Sequence, residues 1–208
     1  MLHNPFKIVE MFEEEIAHYS GAKYAVATTS CTDSLWMTCV YENVKDKEVI
    51  IPKKTYISVP QSIIHAGGKV IFEDLEWSGI YQLKPFPIYD AAKRLTTGMY
   101  IEGTHMCLSF HIKKPIPIGK GGMILTDNEN AYEWFLKARY EGRSFKDPNI
   151  SYREDPVDIV GYNMYMTPEQ AARGLWLMQH HPKEFPDQEE IPDYRDLTEY
   201  PLFKVDYD

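Results

Sequence analysis

The 208-residue chain is 44% hydrophobic and 25% charged, with a formal net charge of −9; this suits one compact domain and is too short for two full-sized ones. The acidic balance argues against nucleic acid as the main partner. No apolar run is long enough for a membrane span, and four acidic side chains fall within residues 1–20, so no leader, no membrane association and a cytoplasmic location are expected.

Asn4-Pro5 reads as a helix start, and Phe6, Val9, Phe12 and Ile16 recur at helical spacing up to a stop at Gly21. Ala25 to Thr28 reads as a short buried strand and Thr32 to Tyr41 as a helix. A second strand is predicted at Val49–Ile51, a helix at Thr55–His65, and a third strand at Val70–Phe72. Further strands are predicted at Phe86–Tyr89, Met106–Phe110 and Gly122–Thr126, then helices at Glu129–Tyr140 and Pro168–Met178. Strands alternating with helices predict an α/β fold, a mainly parallel sheet flanked by helices. The expected division is a domain over 1–180 and an acidic, Pro-rich tail over 181–208 that wraps the surface or stays partly disordered. Cys31, Cys39 and Cys107 have no metal-ligand spacing and cannot all pair, so reduced thiols and no metal are expected.

Parallel sheets place ligands at the C-terminal ends of their strands, and several chemically capable residues fall there. At Ser30-Cys31-Thr32-Asp33 a strand enters a helix, where unpaired N–H groups and hydroxyls make a phosphate seat, or where Thr32 simply caps the helix. In Pro52-Lys53-Lys54-Thr55-Tyr56 the aromatic can lie flat on a heteroaromatic ligand or belong to the core. Asp90, ending a strand, can hold a pyridine nitrogen protonated or cap a helix. Lys114, in Ser109-Phe110-His111-Ile112-Lys113-Lys114, can be desolvated into a nucleophilic amine that forms a Schiff base with an aldehyde. Gly119, Gly121 and Gly122 then let the backbone pass close to a ligand.

These segments, in this order, resemble the DegT/StrS family of pyridoxal-phosphate (PLP) sugar aminotransferases. The similarity runs over roughly residues 5–178, from Phe12–Ala17 and Gly21–Val26 through Asp90-Ala91-Ala92 to Gly161-Tyr162-Asn163 and Gln170-Ala171-Ala172. The resemblance implies the large domain of the aspartate-aminotransferase architecture, with PLP as cofactor. It assigns Lys114 as the lysine that carries PLP and Asp90 as the partner of the pyridine nitrogen. Tyr56 stacks on the ring, Ser30, Cys31, Thr32, Asp33 (through its N–H) and Ser109 hold the phosphate, and Asn163 reaches the phosphate of a neighbouring subunit. A homodimer with shared sites is therefore expected, the helix bearing Ala171, Ala172 and Gly174 being suited to close packing.

The implied reaction moves an amino group from an amino acid, glutamate by expectation, to a keto sugar, by expectation nucleotide-linked. Two departures are visible. Relatives are roughly twice this length, so much of the segment before Asp90 and most of a small C-terminal domain are expected to be absent. Lys93 and Lys120 stand where relatives carry Gln or His and an acidic residue, placing Lys93 beside the cofactor's phenolic oxygen. The alternatives are a non-catalytic homologue that binds PLP or a partner, and a PLP-dependent sugar dehydratase; the family's dehydratases tend to replace the lysine with histidine.

Overall fold

A computed structural model describes residues 4, 6–143, 153–187 and 194–204. Helix α1 (Lys7–Ser20) buries Val9, Phe12 and Ile16, the stripe its spacing predicts, and Gly21 closes it at φ 81°. Asn4 Oδ1 accepts the Phe6 N–H at 3.0 Å; Pro5 of the expected start lies outside the described residues. After strand β1 (Tyr24–Thr28) come α2 (Cys31–Tyr41), β2 (Glu48–Pro52), α3 (Ser58–His65) and β3 (Lys69–Glu73). Strands β4 (Tyr81–Leu83), β5 (Ile88–Asp90), β6 (His105–Ser109) and β7 (Gly122–Thr126) follow, then helices α4 (Glu129–Ala138) and α5 (Pro168–Met178).

The main sheet has the order β1-β7-β6-β5-β4, with β2 and β3 paired beside it. Strand directions are mixed. Strands β5 and β6 are parallel, as are β2 and β3, while β7 runs against both β1 and β6, and β4 runs against β5. Lys84, one residue past β4, pairs antiparallel with Ile50 of β2. Strands β1, β2, β3, β5 and β6 therefore point one way and only β4 and β7 oppose them. Both reversals have a local cause: β4 joins β5 through a short turn, and β7 follows β6 through a loop without a helix, where a parallel return needs a crossover.

Apolar side chains fill both faces of this sheet, with Val26, Met106, Leu108 and Ile124 fully or almost fully buried. Buried Arg139 ties α1 to β1: its Nη1 donates to Glu13 Oε1 and, at 2.7 Å, to the Ala27 carbonyl. Helix α5 opens with a capping box between Thr167 and Gln170. Its buried Ala171 and Gly174 face inward, and a Cβ at Gly174 would collide with the Phe12 ring of α1. The small residues of α5 thus serve packing within the chain, and only Ala172 is exposed. Among the described residues no helix is long and apolar enough to cross a membrane, and no group of His, Cys, Asp and Glu could hold a metal ion.

The described parts of the tail lie against the domain. Tyr19 and the Thr97 N–H donate to the carbonyls of Pro182 and Lys183. Arg94 grips Asp187 through two bonds of 2.7 and 2.5 Å. Further on, Leu197 is buried and donates its N–H to the Lys53 carbonyl, and Asp196 pairs with Lys53 at 3.3 Å. Residues 188–193 and 205–208 of the expected tail lie outside the described residues.

Candidate active site

The C-terminal ends of the co-directed strands open into one cavity of about 1280 Å³. Ser30, Cys31, Thr32, Tyr56, Asp90, Lys93, Ser109 and Lys114 all line it. Two residues expected there do not: Asp33 and Asn163 are absent from its walls.

Asp33 is diverted by capping. Ser30, not Thr32, is the N-cap of α2: its hydroxyl oxygen accepts the Asp33 N–H at 3.1 Å while donating to Asp33 Oδ2 at 2.7 Å. Thr29 donates to the same carboxylate oxygen. The Asp33 N–H expected to hold a phosphate is thereby committed to Ser30, because the cap satisfies it locally. Thr32 is left to face the cavity, with its hydroxyl 2.8 Å from that of Ser58. Gly122 faces this turn so closely that a Cβ would collide with the Ser30 and Cys31 backbone. The Cys31 thiol is pushed well above its ordinary range by burial, with Asp90 adding to the effect. It stays a neutral thiol, not a competing nucleophile.

Asp90 sits at the end of β5, 6% exposed. Its Oδ1 accepts the Ala92 N–H at 2.9 Å and its Oδ2 the Tyr81 hydroxyl at 2.9 Å. Burial pushes its carboxyl above the usual carboxylate range; the two donors, then Lys114 and Lys93, pull it back without cancelling the burial.

The loop from Phe110 to Gly121 is pinched at its base, where Gly119 donates to the Phe110 carbonyl at 3.0 Å and Phe110 to that of Gly121 at 2.9 Å. Gly121 sits at φ 137°, a conformation suited to glycine. This loop brings Lys113, half-buried Lys114 and Lys120 to the cavity wall. Lys93 is buried, its Nζ 5.4 Å from the ring centroids of both Trp77 and Tyr194. Tyr56, 57% exposed, stands at the mouth with its ring available to a ligand.

Sequence reasoning missed Trp77, Tyr81, Asp187 and Tyr194. Trp77 precedes a three-residue strand too short to show a period, and Tyr81 lies within it. Asp187 and Tyr194 come from the tail and close the cavity on one side. Burial pushes the Tyr194 phenol up to about 12, with Asp90 and Tyr56 adding to it. Asn163 is exposed elsewhere, its side-chain amide donating to Glu141 at 2.7 Å.

These walls fit PLP. The cavity offers a lysine for the aldehyde, a buried carboxylate for the pyridine nitrogen, and hydroxyls at a helix start for the phosphate. The glycine-tight approach of β7 to Ser30 keeps that last seat compact.

Comparison with known proteins agrees. The profile of the DegT/DnrJ/EryC1/StrS aminotransferase family matches residues 2–100 and 99–196. GDP-perosamine synthase of Caulobacter vibrioides is 29% identical over 81% of this chain and 55% of its own length. Among solved structures, the Helicobacter pylori aminotransferase PseC, involved in pseudoaminic acid biosynthesis, superposes with a TM-score of 0.68 at 19% identity, over 84% of this chain and 58% of that one. A GDP-4-keto-6-deoxymannose-3-dehydratase superposes equally well, with a TM-score of 0.69 at 17% identity over 85% of this chain and 61% of that one. The fold therefore does not separate amino transfer from dehydration. The chain spans little more than half the length of the relatives it matches.

Proposed function

The chain belongs to the DegT/DnrJ/EryC1/StrS aminotransferase family, whose members depend on PLP, and from that premise we propose that it transfers an amino group from glutamate to a nucleotide-linked keto sugar. The observation that carries this reading is the convergence of Lys114, Asp90 and the Ser30–Thr32 turn on one cavity. Sugar acceptors are supported by the names of relatives such as GDP-perosamine synthase. The presence of lysine at 114 favours amino transfer over dehydration.

When bound, PLP would supply an electron sink for the reaction at the donor's Cα. Lys114 Nζ would hold the cofactor and would serve as the base that carries the proton at the donor's Cα. Asp90 would hold the positive charge on the pyridine nitrogen. Ser30, Thr32 and Ser109 would bind the phosphate, Tyr56 would cover the ring, and Asp187 and Tyr194, which line the cavity, would help exclude water. In the test, protein loaded with PLP loses its visible absorbance when given glutamate and regains it with an acceptor from a panel of nucleotide keto sugars. A chain that only binds PLP keeps its colour.

Lys93 is assigned to the cofactor's phenolic side. A cation there disfavours the protonated form of the nearby linkage, so Lys93→Gln is expected to raise the pH of the colour change by about one unit. Spectral titration of the loaded protein reads this; an unmoved midpoint removes Lys93 from the site.

Asn163, lying outside its own chain's cavity, is assigned to the phosphate of a partner's site in a two-fold dimer. Lys114→Ala and Asn163→Asp proteins should each be badly impaired, the second because a carboxylate repels phosphate. In the heterodimer one site collects both lesions and the other none, so random re-association should restore about a quarter of the wild-type rate. Confirmed subunit exchange without recovery contradicts shared sites.

A further inference from the structure

Asp90 is held by Tyr81, a residue outside the cavity lining. Tyr81 lies directly opposite Asp90 in the antiparallel β4–β5 pair, so both side chains emerge on one face of the sheet. Its hydroxyl is 2.9 Å from Asp90 Oδ2 and 2.6 Å from the hydroxyl of Thr55, itself buried. Only one assignment of protons satisfies all three groups when Asp90 is ionised: Thr55 donates to Tyr81, and Tyr81 donates to Asp90. Asp90 Oδ1 is fixed independently by the Ala92 N–H. The carboxylate is thus gripped at both oxygens and cannot turn about its Cβ–Cγ bond without losing a buried hydrogen bond.

The strand carrying Tyr81 is itself secured on both sides. It pairs with β5 through Tyr81, Gln82 and Leu83, and the next residue, Lys84, exchanges bonds of 2.8 and 3.1 Å with Ile50 of β2. The Tyr81 ring packs edge-on against Trp77 at 4.8 Å. Burial and the neighbouring Asp90 hold the phenol far from ionising, so it remains a donor. Tyr81 lies behind Asp90, outside the cavity lining, and Thr55 reaches the lining.

We propose that Tyr81, backed by Thr55, is a positioning residue that orients the Asp90 carboxylate toward the cavity by donating to its Oδ2. The contact lies wholly within this chain; its consequence for amino transfer rests on the proposed role of Asp90 toward PLP. Among the described residues, the other groups exerting charge on Asp90 or feeling its charge are Lys114, Lys93, Cys31, Cys107 and Tyr194. The two thiols and the Tyr194 phenol stay neutral, their proton affinities raised by burial.

The test uses two variants, Tyr81→Phe and a ring-fluorinated tyrosine at position 81, which keep the ring's packing while removing or strengthening the donor. In cofactor-free protein, the infrared carboxyl band of Asp90, assigned by its loss in Asp90→Asn, is titrated. Loss of a donor to the ionised form raises proton affinity, so Tyr81→Phe should move the midpoint up by about one pH unit, roughly tenfold. The fluorinated residue, a stronger donor, should move it down. In PLP-loaded protein Tyr81→Phe should lower kcat with glutamate about tenfold and leave KM unchanged. Midpoints unmoved in both variants overturn the proposal, whatever the enzyme does. Opposite shifts in a protein that binds no PLP would uphold the Tyr81–Asp90 link and refute the cofactor reading instead.

Discussion

Lys114→Ala is expected to yield a folded protein whose amino transfer falls at least about 10⁴-fold, because in the proposed role one side chain is both the covalent anchor and the proton carrier. Folding should survive. The side chain is half-buried in a loop, and the backbone contact that shapes that loop, Lys114 N–H to the His111 carbonyl at 2.9 Å, does not depend on it. The control is the neighbouring lysine: Lys113 lines the same cavity but is exposed, and Lys113→Ala should keep most of the activity. Glutamate half-reaction rates on the two variants decide it. Activity surviving in Lys114→Ala and lost in Lys113→Ala would move the anchor by one residue.

Asp90→Asn should still bind PLP but slow proton removal from glutamate by about a hundredfold or more, since a neutral amide cannot sustain positive charge on the pyridine nitrogen. The variant can keep the Ala92 N–H on its carbonyl oxygen. Its amide NH₂ would then face the Tyr81 hydroxyl, which must reverse from donor to acceptor. The fold should tolerate that exchange, so the loss reports charge, not collapse. Stopped-flow absorbance of the half-reaction measures it. A normal rate would reduce Asp90 to a structural cap on the turn at Ala92.

Much of this was legible in the sequence. The helical stripe of α1, the Thr167-Pro168 start of α5 and the buried strands around Val26, Cys107 and Ile124 follow from period and punctuation alone. So does the gathering of Ser30, Thr32, Asp90, Ser109 and Lys114, since all end or follow co-directed strands and such ends share one edge. What stayed hidden depends on contacts distant in sequence or on local competition. Strand β4 is three residues long, and Tyr81 acquires meaning only from the cross-strand register with Asp90. Asp33 looked available, but the Ser30 cap consumes its N–H. Helix α3 begins at Ser58, three residues after its expected start at Thr55, whose hydroxyl instead meets that of Tyr81. Tail residues 187 and 194 carry no periodic signal, yet they wall the cavity through Arg94, Trp77 and Lys93.

The proposed site stands or falls with Lys114 as the lysine that carries PLP. Borohydride reduction of the loaded protein, followed by proteolysis and peptide mapping, tests it most directly. One stable pyridoxyl adduct is expected, on Lys114, formed before but not after glutamate has discharged the cofactor. An adduct on Lys113 or Lys93, or no adduct on a protein shown to be folded, would contradict it.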